Sequence, residues 1–340
     1  MSGDHQDPRD QSEPMLRVTS LATVFPSPAG TVAAVDGVSF SLRAGQTLGI
    51  VGESGSGKSL TLYSIMGLQP EAARVDGSIL FEGRELLGLS DRDLNLLRGQ
   101  RIALVFQDPM TALNPYLTIE RQLSEVLQYH RGVSRAEART GALEALRRVH
   151  IPEPERQLDR YPHQLSGGMR QRVVIAMAMI GGPALLLADE PTTALDVTIQ
   201  SEILDLLAEQ RDGGTAILLV THDLGVVARL CDRVIVMYAG RVLEEGGTGQ
   251  VFGRPLHPYT EALLAAVPRL DEDAPPAGRG IEGQPPDPLA LPPGCAFWPR
   301  CSRVMPVCRR DRPDLVVRSD GRAVACHAVV PDHPASEDRP

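Results

Sequence analysis

One eight-residue segment constrains this chain more than any other: Gly52-Glu53-Ser54-Gly55-Ser56-Gly57-Lys58-Ser59. An apolar run ends just before it at Val51, and the residues from Ser59 to Met66 have a helical pattern. A strand, a glycine-rich turn and a helix in series form a phosphate loop, in which backbone N–H groups and the helix dipole attract an anion. Lys58 supplies a charge for the outer phosphates, and the Ser59 hydroxyl can ligate magnesium. A chance match is expected in roughly one chain in a hundred of this length, so the segment predicts nucleotide binding.

Length and charge exclude several classes of protein. The 340 residues suffice for one large domain with an appendage or for two ordinary domains, and 42% apolar residues can build a core. A formal net charge of −9 argues against a nucleic-acid partner. The longest apolar run, 173–188, is interrupted by Gly181-Gly182-Pro183 and is no membrane span. Residues 1–14 are polar and predict a disordered tail instead of a signal peptide, which indicates a cytoplasmic protein.

Two segments upstream of the phosphate loop alternate between apolar and polar residues. Leu16 to Phe25 and Val35 to Leu42 predict strands of an antiparallel cap beside the main sheet. Phe25 could stack on an adenine ring, although a core or edge aromatic is an equally good interpretation of its position.

Two carboxylates follow the apolar run from Ala184 to Ala188. Such a run predicts a strand buried on both faces, and the carboxyl end of such a strand is where α/β proteins bind ligands. Two acids beside a triphosphate repel it unless a metal ion or a proton transfer uses them. We therefore predict that Asp189 holds magnesium and that Glu190 takes a proton from the attacking water, with a pair of solvated acids as the alternative.

Two further polar residues end predicted strands. Gln107 follows the strand 102–106, where it could reach magnesium or the attacking water. His222 follows the strand 216–220 and could hydrogen-bond a terminal phosphate. For both residues, simple solvation or a bond to a neighbouring carbonyl is the alternative.

The pattern becomes helical between residues 108 and 170, which predicts an inserted helical subdomain. Ser134 and Glu137 have the spacing of a capping box. The subdomain ends at Leu165-Ser166-Gly167-Gly168-Met169, and a helix then runs to about Ile180. Ser166 and the two glycines at this helix start form a weak signal for a second anion site, because a plain helix start has the same sequence.

The C-terminal part has a different composition. Residues 267–293 are dense in Pro and Gly and predict a linker, while residues 294–340 contain four of the five cysteines. These are Cys295, Cys301, Cys308 and Cys326. A segment too small for its own core, in a cytoplasmic chain, suggests that the thiols hold a metal. The gaps lack the close pairs typical of zinc, so an iron–sulfur cluster is favoured over zinc and over unligated thiols. Cys231 is expected to lie in the core.

In their order along the chain, these motifs resemble those of the nucleotide-binding subunit of an ABC transporter. Further segments are similar to the dipeptide, oligopeptide and nickel importers, namely 106–115, 161–164, 191–198 and 257–260. The resemblance implies an α/β fold in which residues 15–266 form a P-loop ABC ATPase domain. That domain would combine a RecA-like core with the antiparallel β cap and the inserted helical subdomain, followed by a small Cys-containing C-terminal segment.

The resemblance also implies roles for individual residues. Ser166, Gly167 and Gly168 of one subunit would face the γ-phosphate held by Lys58 and Ser59 of another, so that one chain carries two half-sites. Glu190 would be the general base, His222 would position phosphate and water, and Gln107 would sense the γ-phosphate. The expected ATP-binding residues are Phe25, Gly52, Ser54, Gly55, Ser56, Gly57, Lys58, Ser59, Leu60, Ser166, Gly167, Gly168 and Asp196. The expected magnesium ligands are Ser59, Gln107 and Asp189.

The partners implied by the resemblance are a second ABC ATPase subunit, two transmembrane permease subunits and an extracytoplasmic solute-binding protein. The second ATPase is expected to be a related, non-identical chain, and no nucleic-acid partner is expected. The chain would then hydrolyse ATP at the cytoplasmic face of the cell membrane to drive import of peptides or a similar solute, with nickel as the alternative. ABC ATPases of ribosomes or DNA repair are a further alternative, but their usual second domain, long coiled coils or basic arms are not evident in the sequence. A nucleotide-binding regulator without hydrolysis is disfavoured because Glu190 and His222 are both present.

Overall fold

The structure is a computed structural model that describes residues 13–27, 30–193, 195–267 and 281–329. Most of the predicted N-terminal tail, half of the predicted linker and the last eleven residues of the C-terminal segment lie outside these ranges. Ala194, in the loop before Asp196, also lies outside them.

Twelve strands and eleven α-helices are found in the described residues. The strands are β1 Leu16–Ser27, β2 Gly30–Leu42, β3 Thr47–Val51, β4 Arg74–Phe81, β5 Arg84–Glu85, β6 Ile102–Val105, β7 Leu185–Asp189, β8 Ala216–Val220, β9 Arg233–Tyr238, β10 Arg241–Gly247, β11 Val316–Val317 and β12 Ala323–Val324. The helices are α1 Lys58–Met66, α2 Asp91–Asn95, α3 Pro109–Ala112, α4 Ile119–Arg131, α5 Arg135–Arg148, α6 Pro154–Leu158, α7 Gly167–Met179, α8 Val197–Asp212, α9 Leu224–Leu230, α10 Thr248–Gly253 and α11 Pro258–Ala265. None of them is long and apolar enough to span a bilayer.

The main sheet has eight strands in the order β11-β12-β10-β9-β3-β8-β7-β6. The strands from β9 to β6 in this order run parallel, and their apolar runs are buried on both faces. Successive side chains of β8 alternate between two cores: Ile217 and Leu219 pack in one, and Leu218 and Val220 pack in the other. The predicted α/β fold is confirmed.

A second sheet, in the order β2-β1-β4-β5, is antiparallel and forms the predicted cap. Its apolar face packs on α1 and on one face of the main sheet; Val18 and Phe40 share a core with Leu62 and Ile65. Both of the predicted cap strands are longer than predicted, because β1 and β2 stay paired as far as Ser27 and Gly30.

The helices α3 to α6 form the region predicted as an inserted subdomain. The predicted capping box starts α5: the Glu137 N–H donates to Ser134 Oγ at 3.3 Å, and the Ser134 N–H donates to Glu137 Oε2 at 2.9 Å. Together these bonds satisfy two N–H groups that the helix start would otherwise leave free.

The C-terminal segment shares the core of the rest of the chain. Strand β12 pairs with β10 at the edge of the main sheet. Phe297 is only 1% exposed and lies among three rings, with centroid distances of 5.4 Å to Tyr238, 5.2 Å to Tyr259 and 5.9 Å to His257. Aromatic packing of this kind joins residues 281–329 to β9 and α11.

We predict that Phe297→Ala destabilises the chain by about 3–5 kcal/mol, because it opens a cavity among these rings. Urea unfolding of the full-length chain measures the change. Val317→Ala, on the exposed strand β11, is the matched control and should change stability by less than about 0.5 kcal/mol. An unchanged midpoint for Phe297→Ala would show that the C-terminal segment contributes nothing to the core.

Candidate functional site

The phosphate loop lies between β3 and α1 and is shaped by close backbone contacts. A Cβ on Gly52 would collide with the carbonyl oxygen of Met237, and one on Gly57 would collide with that of Ala34. Gly57 also has a φ of 97°, which favours glycine. Glycine is therefore required at both positions for the loop to fit between β9 and β2.

Lys58 lies at the first position of α1, beneath the loop. Its Nζ donates to the carbonyl oxygens of Gly52 at 2.8 Å and Glu53 at 2.9 Å. Burial lowers the pKa of Lys58, and the negative charges of neighbouring carboxylates oppose that shift only in part. Ser54 and Gly55, at the tip of the loop, are exposed and accessible to a ligand.

Asp189, at the end of β7, is held by two hydroxyl groups. Ser59 Oγ donates to its Oδ1 at 2.8 Å, and the Tyr63 hydroxyl donates to its Oδ2 at 2.9 Å. Burial raises the pKa of Asp189, while the two hydrogen bonds act against that rise. The structure thus brings together Ser59 and Asp189, two of the three predicted magnesium ligands.

Tyr63 is a residue of the site that the sequence analysis missed. It lies four positions after Ser59 in α1, and this spacing places both side chains on one face of the helix. A hydroxyl-bearing side chain four positions after Ser59 was the sequence feature that could have predicted this contact. Burial beside Asp189 raises the pKa of Tyr63 to about 12, so its hydroxyl stays protonated and remains a donor.

Glu190 contacts both of the other polar residues that were predicted at strand ends, Gln107 and His222. Its carboxylate accepts hydrogen bonds from Gln107 Nε2 at 3.0 Å and Thr193 Oγ1 at 2.8 Å, and it lies 3.1 Å from His222 Nδ1. The residue has a left-handed φ of 46°, fixed by a 2.8 Å bond from its N–H to the carbonyl of Val220. Thr193 was not predicted to contact this carboxylate.

The pKa of Glu190 is lowered from its ordinary value. Burial alone would raise it, but the hydrogen bonds with His222 and Thr193 and the nearby positive charges favour the ionised form more strongly. Glu190 is therefore an ionised carboxylate at neutral pH, with neighbours that fix its orientation.

Phe25 is connected to the phosphate loop by the neighbouring cap strand β2. It is half-buried on β1 and pairs with Val32 of β2, and two residues further along β2 the carbonyl of Ala34 meets Gly57. Contact with adenine stays a prediction. Leu60, in the first turn of α1, is also half-buried.

Other predicted ATP-binding residues lie at helix starts apart from the loop. Ser166 caps α7 by accepting from the N–H of Met169, and Asp196 caps α8 by accepting from that of Ile199. Ser166, Gly167 and Asp196 are exposed, while Gly168 leaves room for Ile199. Among the described residues, no hydrogen bond joins Ser166 or Asp196 to the phosphate loop.

The four C-terminal cysteines line one small pocket, together with His257 and His327. Burial raises the pKa of Cys295 to about 11 and also raises those of Cys301 and Cys326, so these thiols are neutral at physiological pH. However, no three or more His, Cys, Asp or Glu side chains in the described ranges form a group that could hold a metal ion. The structure therefore gives no support to the predicted iron–sulfur cluster or to zinc. Cys231, as expected, lies in the core.

Two family models match the chain: "ABC transporter" over residues 35–193, and "Oligopeptide/dipeptide transporter, C-terminal region" over residues 243–308. The oligopeptide transport ATP-binding protein OppD of Salmonella typhimurium (strain LT2) is 52% identical over 317 residues, covering 93% of this chain and 94% of that protein. The chain belongs to the ATP-binding subunits of oligopeptide and dipeptide ABC transporters. The chain is therefore an ABC ATPase, whose ATP hydrolysis is coupled to import.

Other members and solved structures of ABC ATPases are similar to this ABC ATP-binding subunit. The dipeptide transport ATP-binding protein DppD of Bacillus subtilis (strain 168) is 52% identical over 317 residues, covering 92% of this chain and 94% of that protein. A dimeric post-hydrolysis structure of the ATP-binding cassette MJ0796, bound to ADP and Pi, has a TM-score of 0.63 and 32% identity. That match covers 69% of this chain and 99% of the other.

We predict that Tyr63→Phe destabilises the nucleotide-free chain by about 1–3 kcal/mol at neutral pH, because it leaves one oxygen of Asp189 without its donor. The lost bond favours the ionised carboxylate, so the variant raises the pKa of Asp189 further. The destabilisation is therefore full above the raised pKa that Asp189 has in the variant, and it decreases as the pH falls through that value.

Urea unfolding at neutral and at acidic pH measures both effects. Tyr116→Phe, which removes the hydroxyl of an exposed tyrosine, is the control and should leave stability unchanged at either pH. Equal destabilisation by Tyr63→Phe at both pH values would contradict the assigned bond to the charged carboxylate.

Proposed function

We propose that this chain is the ATP-hydrolysing subunit of an importer for peptides or a similar small solute. The observation that carries the catalytic part is the Glu190 carboxylate, on which Gln107, Thr193 and His222 converge beside the phosphate loop. The names of OppD and DppD, as oligopeptide and dipeptide transport proteins, support the choice of solute.

In this proposal Glu190 is the general base. Its lowered pKa keeps it ionised and able to accept a proton from the attacking water at neutral pH. Gln107 and His222 orient the carboxylate in the nucleotide-free chain and would contact the γ-phosphate or the water when ATP is bound. His222 is well placed for that exchange because its side chain is 62% exposed.

The phosphates would bind to the amides of the loop and to Lys58, which would exchange its bonds to loop carbonyls for bonds to the β- and γ-phosphates. Ser59, Asp189 and Gln107 would hold magnesium. Their hydroxyl, carboxylate and amide oxygens suit this hard cation, which neutralises phosphate charge when bound.

Hydrolysis in this proposal requires two ATPase chains. The exposed helix start at Ser166 and Gly167 has no hydrogen bond to its own phosphate loop among the described residues, and it would complete the site of a second chain. The dimer reported for the similar cassette MJ0796 supports this pairing. We expect the second chain to be related and non-identical, and the pair to act at the cytoplasmic face of the membrane with two permease subunits and an extracytoplasmic solute-binding protein.

We predict that Glu190→Gln lowers ATP hydrolysis by about 10²–10⁴-fold, because the amide cannot accept the proton, while ATP binding and pairing persist. ATP-dependent uptake of a labelled peptide by vesicles containing the complete importer should fall in parallel. Glu209→Gln, which changes an exposed glutamate on α8, is the control for both assays. Normal steady-state hydrolysis by Glu190→Gln would refute the base assignment.

The same vesicles test the solute. Peptide uptake that unlabelled peptides but not nickel reduce supports peptide import, whereas ATP-dependent uptake of nickel without uptake of peptide would assign the ATPase to a metal importer. Purification of the chain with ribosomes or DNA instead of with membrane proteins would overturn the transport proposal.

The cofactor of the C-terminal cysteines is a separate proposal that rests on the donor set. We infer an iron–sulfur cluster because four cysteines, three of them buried, line one pocket in a chain that we expect to be cytoplasmic. The sequence gaps between these cysteines lack the close pairs typical of a zinc site, which is why the cluster is preferred.

We predict that anaerobically purified chain is coloured, with visible absorption and stoichiometric iron, and that Cys308→Ser removes both. Cys231→Ser, which changes the core cysteine outside the pocket, should retain the iron if the variant folds. A colourless wild-type sample, with or without stoichiometric zinc, would overturn the cluster.

A further inference from the structure

Arg300, in the C-terminal segment, uses all five of its N–H groups. Its Nη1 donates to Oε2 of Glu53 in the phosphate loop at 2.6 Å, and its Nη2 donates to Oε1 at 2.9 Å. These two bonds form a bidentate ion pair. The remaining bonds reach the Tyr238 hydroxyl at 3.3 Å and the carbonyl oxygens of Ile281 at 3.1 Å and Glu282 at 2.9 Å. The Arg300 side chain is only 4% exposed, so its orientation is fixed on every side.

Glu53 is held through three of its groups: its carboxylate, its backbone N–H and its backbone carbonyl. Arg300 binds its carboxylate, and the backbone N–H of Glu53 donates to the Tyr259 hydroxyl at 2.8 Å. Its carbonyl oxygen accepts from Lys58 Nζ and from the N–H of Ser56. A shift of Glu53 would therefore move both the lysine and the backbone amides that face a nucleotide.

The ion pair also neutralises the negative charge of the Glu53 carboxylate. Glu53 is the second residue of a loop that has to accept a highly charged triphosphate, and an unpaired carboxylate there would repel it. The hydrogen bonds with Glu53 raise the pKa of Arg300, consistent with a firmly held ion pair. A lysine could supply a charge at this position but not the planar fork that binds both carboxylate oxygens.

We propose that Arg300 is a positioning residue of the ATP site, which neutralises and orients Glu53 and so sets the affinity of the phosphate loop for ATP. The inference rests on ATP binding at this loop and does not depend on which solute is imported. It makes residues 281–300 part of the ATP-binding machinery, although Arg300 itself would touch no phosphate.

The test uses the full-length chain and a fluorescent ATP analogue. Arg300→Met should weaken binding about tenfold, and Glu53→Gln in the same chain should restore the affinity to within about threefold of wild type, because it removes the unpaired charge. Arg309→Met, which removes an exposed arginine lying over Trp298 in the same segment, is the matched control and should bind as wild type. In the assembled ATPase, Arg300→Met should raise KM for ATP in proportion while kcat at saturating ATP is retained.

Wild-type affinity in a folded Arg300→Met chain would overturn the proposal. A double variant as weak as Arg300→Met would overturn it as well, since the arginine would then act only through general packing. If Arg300→Met does not fold, Arg300→Lys gives the same decision: binding weakened by about threefold or more supports the fork, and unchanged binding refutes it. Failure of wild-type chain to bind the analogue would instead refute ATP binding at this loop.

Discussion

Two backbone carbonyls determine the shape of the phosphate loop. The oxygen atoms of Met237 and Ala34 occupy the space that side chains on Gly52 and Gly57 would need. Because these carbonyls belong to the main sheet and to the antiparallel cap, the loop fits only where the two sheets meet. Lys58 follows Gly57 directly, so the same packing fixes the start of α1 and the groups that it carries. The cap therefore contributes to the shape of the phosphate loop through its backbone.

The two consecutive acids illustrate how one strand end can hold two carboxyl groups in different environments. Asp189 ends the buried strand β7 and turns toward α1, whereas Glu190 adopts a left-handed conformation and turns toward Gln107 and His222. Their pKa values move in opposite directions: burial dominates at Asp189, and hydrogen bonds and positive charges dominate at Glu190. Adjacent carboxyl groups whose environments separate their pKa values can take different roles.

Local patterns predicted much of this arrangement because they reflect local physics. Buried parallel strands appear as short apolar runs, and their carboxyl ends meet at one edge, which is why Gln107, Glu190 and His222 could be expected near one site. Their direct hydrogen bonds to the Glu190 carboxylate were not predicted. The contact of Arg300 with Glu53 could not, since it joins residues 247 positions apart and depends on how the last segment packs. The cysteine prediction was limited in the same way. The sequence identified four thiols that line one pocket, but spacing along the chain does not say whether the sulfur atoms point toward a common metal ion.

The C-terminal segment shows that boundaries drawn in sequence and units formed by packing need not coincide. The matched C-terminal region starts at residue 243, within β10, and ends at residue 308. Yet β10 also pairs with β12, and the N–H of Ala325 donates to the carbonyl of Leu243 at 2.9 Å. Removing the chain after residue 308 would therefore expose an edge of the sheet whose next strands are β9 and β3, the strand that leads into the phosphate loop. The packed unit that contains the phosphate loop thus extends at least to Ala325.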